Sequence, residues 1–315
     1  MSNSVISAID IGSNSFHLLI IKREKNKIVT LFKKKEIMRL GSEYGVKQKK
    51  ISSNEIKKSI KILKDFREIS EKYNARILAK ATSSLREAKN KNEYIKKIYK
   101  ETGIKIIPIT GKKEAKLIYK GMMSALPIKN KKVLCIDIGG GSTEVIFGNK
   151  GKTIFSSSIK VGAVRLMNKF FPNYILTGQN ILKCKNFVEK KISSRKDLNL
   201  EKNNILVIGA SGTIHAAASM VYFYKYKKPI DRPNGYSFTK KEFDKIYDKV
   251  LNVRTPLERI GIKGLERKRA DIIPAGLIIL AVFINLFNIK KIKLSTGALR
   301  EGIAYSELNK NTNKS

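Results

Sequence analysis

The sequence predicts an α/β protein of two duplicated halves, each with a mixed β-sheet, flanking a central cleft. Three observations predict it. Residues 8–15 (Ala-Ile-Asp-Ile-Gly-Ser-Asn-Ser) match residues 135–142 (Cys-Ile-Asp-Ile-Gly-Gly-Gly-Ser) at an offset of 127, the difference between Asp137 and Asp10. The same pattern of short runs surrounds each copy. Alternating helix-like and strand-like segments then follow both. Self-similarity of this kind fixes an architecture more firmly than any single motif does.

Each copy opens with an apolar run, 5–11 and 133–138, that enters a Gly/Ser turn. A second run leaves it (16–21; 143–147), a polar turn follows (25–26; 149–151), and a third run closes the set (28–32; 153–157). Three β-rich runs joined by tight turns read as a meander. Downstream, Ser52 and Glu55 stand three apart as a capping box opening a helix, whose Ile56, Ile60, Leu63, Phe66 and Ile69 form one apolar stripe. The first half continues with a strand at 76–81, a helix at 92–102 stopped by Gly103, a strand at 105–109 and a helix at 112–126. The second half reads as a strand at 205–208, helices at 213–224, 239–252 and 272–286, a strand at 291–294 and a closing helix at 299–308. Strand–helix alternation of this kind builds layered α/β domains. Pro127 and a lysine-rich turn interrupt the pattern, so the expected domains are 1–126 and 127–298, with a helix in 299–315 packing back on the first.

With 315 residues, 42% of them hydrophobic, the chain is large enough for two ordinary cores. No signal peptide is visible, because Asp10, Asn14 and His17 break the first apolar stretch. The longest apolar run, 272–287, is shorter than the ~20 residues a membrane span needs and reads as a buried helix. The two cysteines, Cys135 and Cys184, have no metal-type spacing. A cytoplasmic protein without a membrane partner is expected. A net charge of +39 invites a polyanion. The lysines, however, are spread over nearly every segment beside abundant Ile and Asn, as an AT-biased genome would write them. The charge suits an anionic substrate without identifying one, and nucleic acid is not the expected partner.

Each repeated turn sets an Asp at a strand end and small residues after it. Such turns, here Gly12, Ser13, Asn14 and Ser15 in one copy and Gly139, Gly140, Gly141, Ser142 and Thr143 in the other, converge backbone N–H groups and hydroxyls on anionic oxygens. A third small-residue turn, with Gly209, Ser211 and Gly212, precedes a helix and offers its N-terminus to a phosphate. Asp10, Asp137 and Glu144 are candidate Mg²⁺ ligands, since Mg²⁺ takes one or two carboxylates and completes its shell with water and phosphate oxygens. A chain with two histidines, His17 and His215, has no basis for a Ser-His-Asp relay, and packing is the default role of both.

Residues 8–15, 136–144, 209–213 and 295–302, with 81–86 and 109–115 between them, resemble in order the exopolyphosphatase/guanosine pentaphosphate phosphatase family. The resemblance covers essentially the whole chain. It implies two actin-like (ribonuclease H-like) domains and Mg²⁺-dependent release of terminal phosphate from polyphosphate, guanosine pentaphosphate or both, with a link to the stringent response and a homodimer as one assembly. It also implies that Glu114 is the catalytic base and that Arg86 clamps phosphate. Family members often carry two acids where this chain has Lys113 then Glu114, which leaves Glu114 alone in that role. Arg269, Asp271 and Arg300 read as interdomain or loop-supporting contacts. The chain resembles the family's short form, which lacks an added helical C-terminal region. Two other readings share the motifs: an ATP-dependent kinase or ATPase of the same superfamily, and a polyphosphate- or nucleic-acid-binding protein with weak catalysis.

Overall fold

Alternating side chains dictate two-faced strands at both copies of the repeat. The computed structural model describes residues 5–25, 27–41, 49–195 and 205–312. Asn26 of the first polar turn and the last residues of the polar tail, 313–315, lie outside them. The chain divides into two units, Met1–Ser124 with Gly297–Ser315, and Ala125–Thr296.

In the first unit β1 (Val5–Ile11), β2 (Ser15–Glu24) and β3 (Lys27–Ile37) form the expected antiparallel meander. β4 (Arg76–Ala81) and β5 (Ile106–Pro108) add in parallel, giving the sheet order β3-β2-β1-β4-β5. Ile9, Ile11, Phe16, Leu18 and Ile20 point from one face into a core shared with Leu63 and Phe66 of α1 (Ser53–Lys72) and Tyr94 and Ile98 of α3 (Lys91–Thr102). The Ser52–Glu55 capping box is formed in both directions at the start of α1. Gly103 ends α3 in the left-handed conformation, at φ +66°, that a side chain would resist. A short α2 (Ser83–Glu87) follows β4. α4 (Gly111–Ala125) and the closing α11 (Leu299–Thr312) complete the unit, and α11 packs on β1 and β2. Gly121 of α4 lies against the Ala298 backbone and Gly302 of α11 against the Leu117 carbonyl, so a Cβ at either position meets main chain.

The second unit repeats the plan. β6 (Val133–Ile138), β7 (Thr143–Asn149) and β8 (Lys152–Ile159) form the meander, β9 (Leu206–Ala210) joins β6 in parallel, and β11 (Lys291–Leu294) and β10 (Ser237–Thr239) extend the sheet to β10-β11-β9-β6-β7-β8. Helices α5 (Ala163–Phe170), α6 (Gly178–Ser193), α7 (Ser211–Tyr226), α8 (Lys240–Leu251), α9 (Pro256–Arg259) and α10 (Ile273–Leu286) accompany it. α10, apolar all round, is buried along nearly its whole length. Among the described residues no helix is long and apolar enough to cross a membrane. The duplication reaches fine detail. The β2–β3 ladder shifts register between Ile20 and Ile21, and the β7–β8 ladder shifts between Phe147 and Gly148, the positions 127 further on. A three-strand antiparallel meander extended by parallel strands is the ribonuclease H-like plan of the actin-like class.

Candidate active site

In both units the sheet face opposite the core cluster carries the polar residues of the repeat. Asp10 pairs with His17 across β1 and β2, and Asp137 pairs with Glu144 across β6 and β7, so each pair shares a face. The turns close alike. The Gly12 amide donates to the Ser15 carbonyl at 3.2 Å, and the Gly139 amide donates to the Ser142 carbonyl at 2.9 Å.

Around the first turn, the Ser13 and Ser83 hydroxyls meet at 3.0 Å, which ties the turn to α2. α2 carries Arg86, whose Nη1 donates to the Ile109 carbonyl at 2.8 Å and to Glu114 Oε2 at 2.9 Å. A lone Glu in a lysine-rich helix reads by default as a solvated-face residue, yet Glu114 is only 5% exposed. It sits in the first turn of α4, where the helix dipole favours a carboxylate. The Asn14 side chain is buried, and neither of its polar atoms has a hydrogen-bond partner among the described residues. A buried amide in that condition costs free energy unless a ligand completes it. Ser15 Oγ lies 2.8 Å from His17 Nε2, and Arg300 Nη1 donates to His17 Nδ1 at 2.8 Å. Arg300 in turn donates through Nε to Glu301 Oε1 at 2.8 Å. His17 is therefore a bonded member of the polar face, where the sequence suggested packing alone.

Around the second turn, Glu144 is 1% exposed and its Oε1 accepts from Ser142 at 2.8 Å and Ser158 at 2.7 Å. Asp137 is buried beside it. The Thr143 hydroxyl donates inward to the Val161 carbonyl at 2.7 Å. Gly139 and Gly140 carbonyls accept from the first residues of α5, and Arg165 Nε donates to the Gly141 carbonyl at 2.7 Å. Gly162 packs so closely on Gly140 and Gly141 that a side chain there would displace them. At the third turn Ser211 adopts φ +76°, and its Oγ accepts from the Ile138 amide at 3.2 Å, joining this turn to the end of β6. The Gly209 carbonyl accepts from Ser295 at 2.8 Å.

Sequence reasoning gave Arg269 no part in the chemistry, yet its guanidinium occupies the space a Cβ on Gly212 would need, at the N-terminus of α7. Burial pushes its pKa down, and Glu266 Oε2 at 3.1 Å offsets part of the cost. A buried cation at the positive end of a helix is stabilised by anions. A glycine opening a helix beside a distant arginine was the available signal, but one sequence does not show which arginine fills that space. The structure thus gathers Arg86, Glu114 and the first turn in one unit. It gathers Asp137, Glu144, Arg269 and the other two turns in the second. Among the described residues no three His, Cys, Asp or Glu side chains group as a metal site.

A duplicated fold with a Gly/Ser turn in each half defines a protein of the two-domain actin-like fold class. The chain belongs to the Ppx/GppA phosphatase family, whose model matches residues 19–311. It is 34% identical, over 96% of its length, to a bifunctional 3-dehydroquinate synthase/phosphatase of Fusobacterium nucleatum, of which it spans 47%. It is 31% identical over 96% of its length to a guanosine-5'-triphosphate,3'-diphosphate pyrophosphatase of Photobacterium profundum, of which it spans 59%. The crystal structure of an exopolyphosphatase from Cytophaga hutchinsonii superposes with a TM-score of 0.89 at 29% identity, covering 97% of this chain and 98% of that one.

Proposed function

We propose that the protein releases terminal orthophosphate from inorganic polyphosphate, guanosine pentaphosphate or both, by in-line attack of a water activated by Glu114. The observation that carries this is the pairing of buried Glu114 with half-buried Arg86, connected through α2 and Ser83 to the first Gly/Ser turn. Phosphoanhydride cleavage asks little of a protein beyond positioning, charge stabilisation and orientation of one water. A carboxylate pinned by a guanidinium, in a unit that also carries a phosphate-type turn, has the chemistry to take that water's proton. Gly12, Ser13, Asn14 and Ser15 hold one stretch of phosphate in this reading, and the orphaned Asn14 amide gains a partner when they do. Gly139, Gly140, Gly141, Ser142, Gly209, Ser211 and Gly212 serve the second stretch, with Arg269 adding charge, while the Ser142 and Thr143 hydroxyls, expected as phosphate donors, are turned to Glu144 and the Val161 carbonyl instead.

Asp137 and Glu144 fit a divalent cation such as Mg²⁺. They are two buried carboxylates in direct cross-strand register, with hydroxyls already satisfying part of Glu144. Asp10 occupies the equivalent position of the first copy and is proposed as a further ligand. When bound, the cation neutralises charge on the phosphoryl oxygens. The cytoplasmic location and an assembly into homodimers stand as parts of the same proposal.

The test is orthophosphate release from long polyphosphate and from guanosine pentaphosphate, side by side, with Mg²⁺. Glu114→Gln is expected to lower kcat by about 10²- to 10⁴-fold, the range for a general base, with the melting temperature retained. Unchanged turnover in a folded Glu114→Gln protein would remove this mechanism. Transfer of phosphate from ATP to an acceptor other than water would favour the kinase alternative.

A further inference from the structure

The two copies of the repeat are superimposable in register yet opposite in hydrogen-bond polarity. Position 15 corresponds to 142 and position 17 to 144, and in each copy the serine hydroxyl bonds the side chain two residues on, at 2.8 Å. In the second copy the partner is the Glu144 carboxylate, which in its ionised form only accepts. Ser142 therefore spends its proton on Glu144. In the first copy the partner is His17, whose other ring nitrogen, Nδ1, faces Arg300 Nη1. A guanidinium has donors and no acceptor, so Nδ1 must accept and carries no proton. The imidazole proton then resides on Nε2 and is donated to Ser15 Oγ. With a lone pair so occupied, the Ser15 hydroxyl has its own proton left for an acceptor.

We propose that Arg300 fixes the Nε2–H tautomer of His17, which turns Ser15 into a hydrogen-bond donor dedicated to a phosphate oxygen in the first turn. His17 and Arg300 are positioning residues, acting through Ser15. Glu301 anchors the relay, because one carboxylate oxygen accepts from Arg300 Nε and the other from the Ala298 amide at 2.9 Å. The charged neighbours in register on the same face are Asp10 on β1, Lys35 on β3 and Lys80 on β4. The relay deepens the phosphate reading above and rests on it for the identity of the acceptor.

The tautomer is measured without substrate. Nitrogen-15 labelling of the two histidines in the full chain is expected to show a protonated Nε2 and a bare Nδ1 at His17, with the His17→Gln spectrum giving the assignment. A proton on Nδ1 overturns the proposal. Binding of tripolyphosphate tests the consequence. A Gln amide offers one acceptor and one donor, spaced much as the imidazole nitrogens are, and preserves the polarity. Glu, the residue native to the equivalent position 144, reverses it by taking the Ser15 proton. His17→Gln is expected to bind tripolyphosphate within roughly threefold of wild type, while His17→Glu and Ser15→Ala each weaken binding roughly ten- to hundredfold, the value of one hydrogen bond to a charged group. Combining those last two is expected to add little, as for residues acting through one bond. Equal loss in the Gln and Glu variants, or no loss in Ser15→Ala, overturns the relay. A wild-type chain that fails to bind tripolyphosphate overturns the phosphate-turn reading itself, a result distinct from a relay that fails while wild type binds.

Discussion

The bond from Arg86 to Glu114 decides more than either residue does alone. Separate roles were expected, a clamp and a base, and the structure shows them in contact, with Glu114 buried and Arg86 half-buried. A buried carboxylate without its cation favours the neutral form, which cannot take a proton from water. Arg86→Met is accordingly expected to lower kcat by about a hundredfold, the scale of a lost charge-assisted bond. Arg86→Lys, which restores the charge, is expected to recover part of it, and steady-state phosphate release reads both. At this scale the sequence was informative where the repeat marked a residue: Asp10 and Asp137 stand near the ends of β1 and β6, each opposite a polar residue of the next strand. The His17–Arg300 bond and the seat of Arg269 beside Gly212 were not legible, because the partners stand far off in the chain, His17 and Arg300 by 283 positions. Short-range spacing carries no trace of such contacts.

Among the elements, the strands β1, β4, β6 and β11 could be read residue for residue, since apolar runs with abrupt polar stops leave little choice of boundary. The capping box before α1 was equally legible. Ser52→Ala is expected to cost about 1 kcal/mol of stability, the usual value of an N-cap, seen as a lower urea midpoint. Helices α5 and α6 went unread. In α6 only Cys184, Val188 and Ile192 are buried, a stripe one residue wide that the surrounding lysines dilute. α2 and β10 are too short to show a period. The crossing of α4 and α11 was also invisible, because nothing in a lone glycine says which backbone approaches it. Gly302→Ala sets a methyl against the Leu117 carbonyl and is expected to destabilise by about 1–3 kcal/mol, the cost of overpacking. Chemical denaturation measures it, and a neutral result would show the two helices free to move apart.

The whole molecule offers a built-in reporter of one half only. Both cysteines are fully buried and both belong to the second unit. Burial pushes the Cys184 thiol up to about 12 and that of Cys135 higher still, with the Asp137 charge contributing. Because the thiolate is the reactive species, neither is expected to react with a disulfide reagent in the native protein at neutral or mildly alkaline pH. Two equivalents are expected to react once the second unit unfolds, while unfolding of the first unit alone releases none. Early labelling of either thiol in a folded sample would contradict the packing. The fold class and its duplication were legible because a repeat reports on the whole chain at once. The net charge of +39 was not informative at the same scale, since charge spread over every segment carries no address.

The shared register shift also orders events in time. Leu31 and Ile154 are each the residue skipped in the pairing of their meander, facing positions of β2 and β7 that correspond between the halves. The same irregularity at the same place twice is what copying one half-length ancestor with that hairpin would leave. That ancestor would already have had the irregular hairpin and the Asp-Ile-Gly turn. Histidine at one position and glutamate at its counterpart require a change in at least one copy after the duplication, so the difference between the halves is younger than their shared shape.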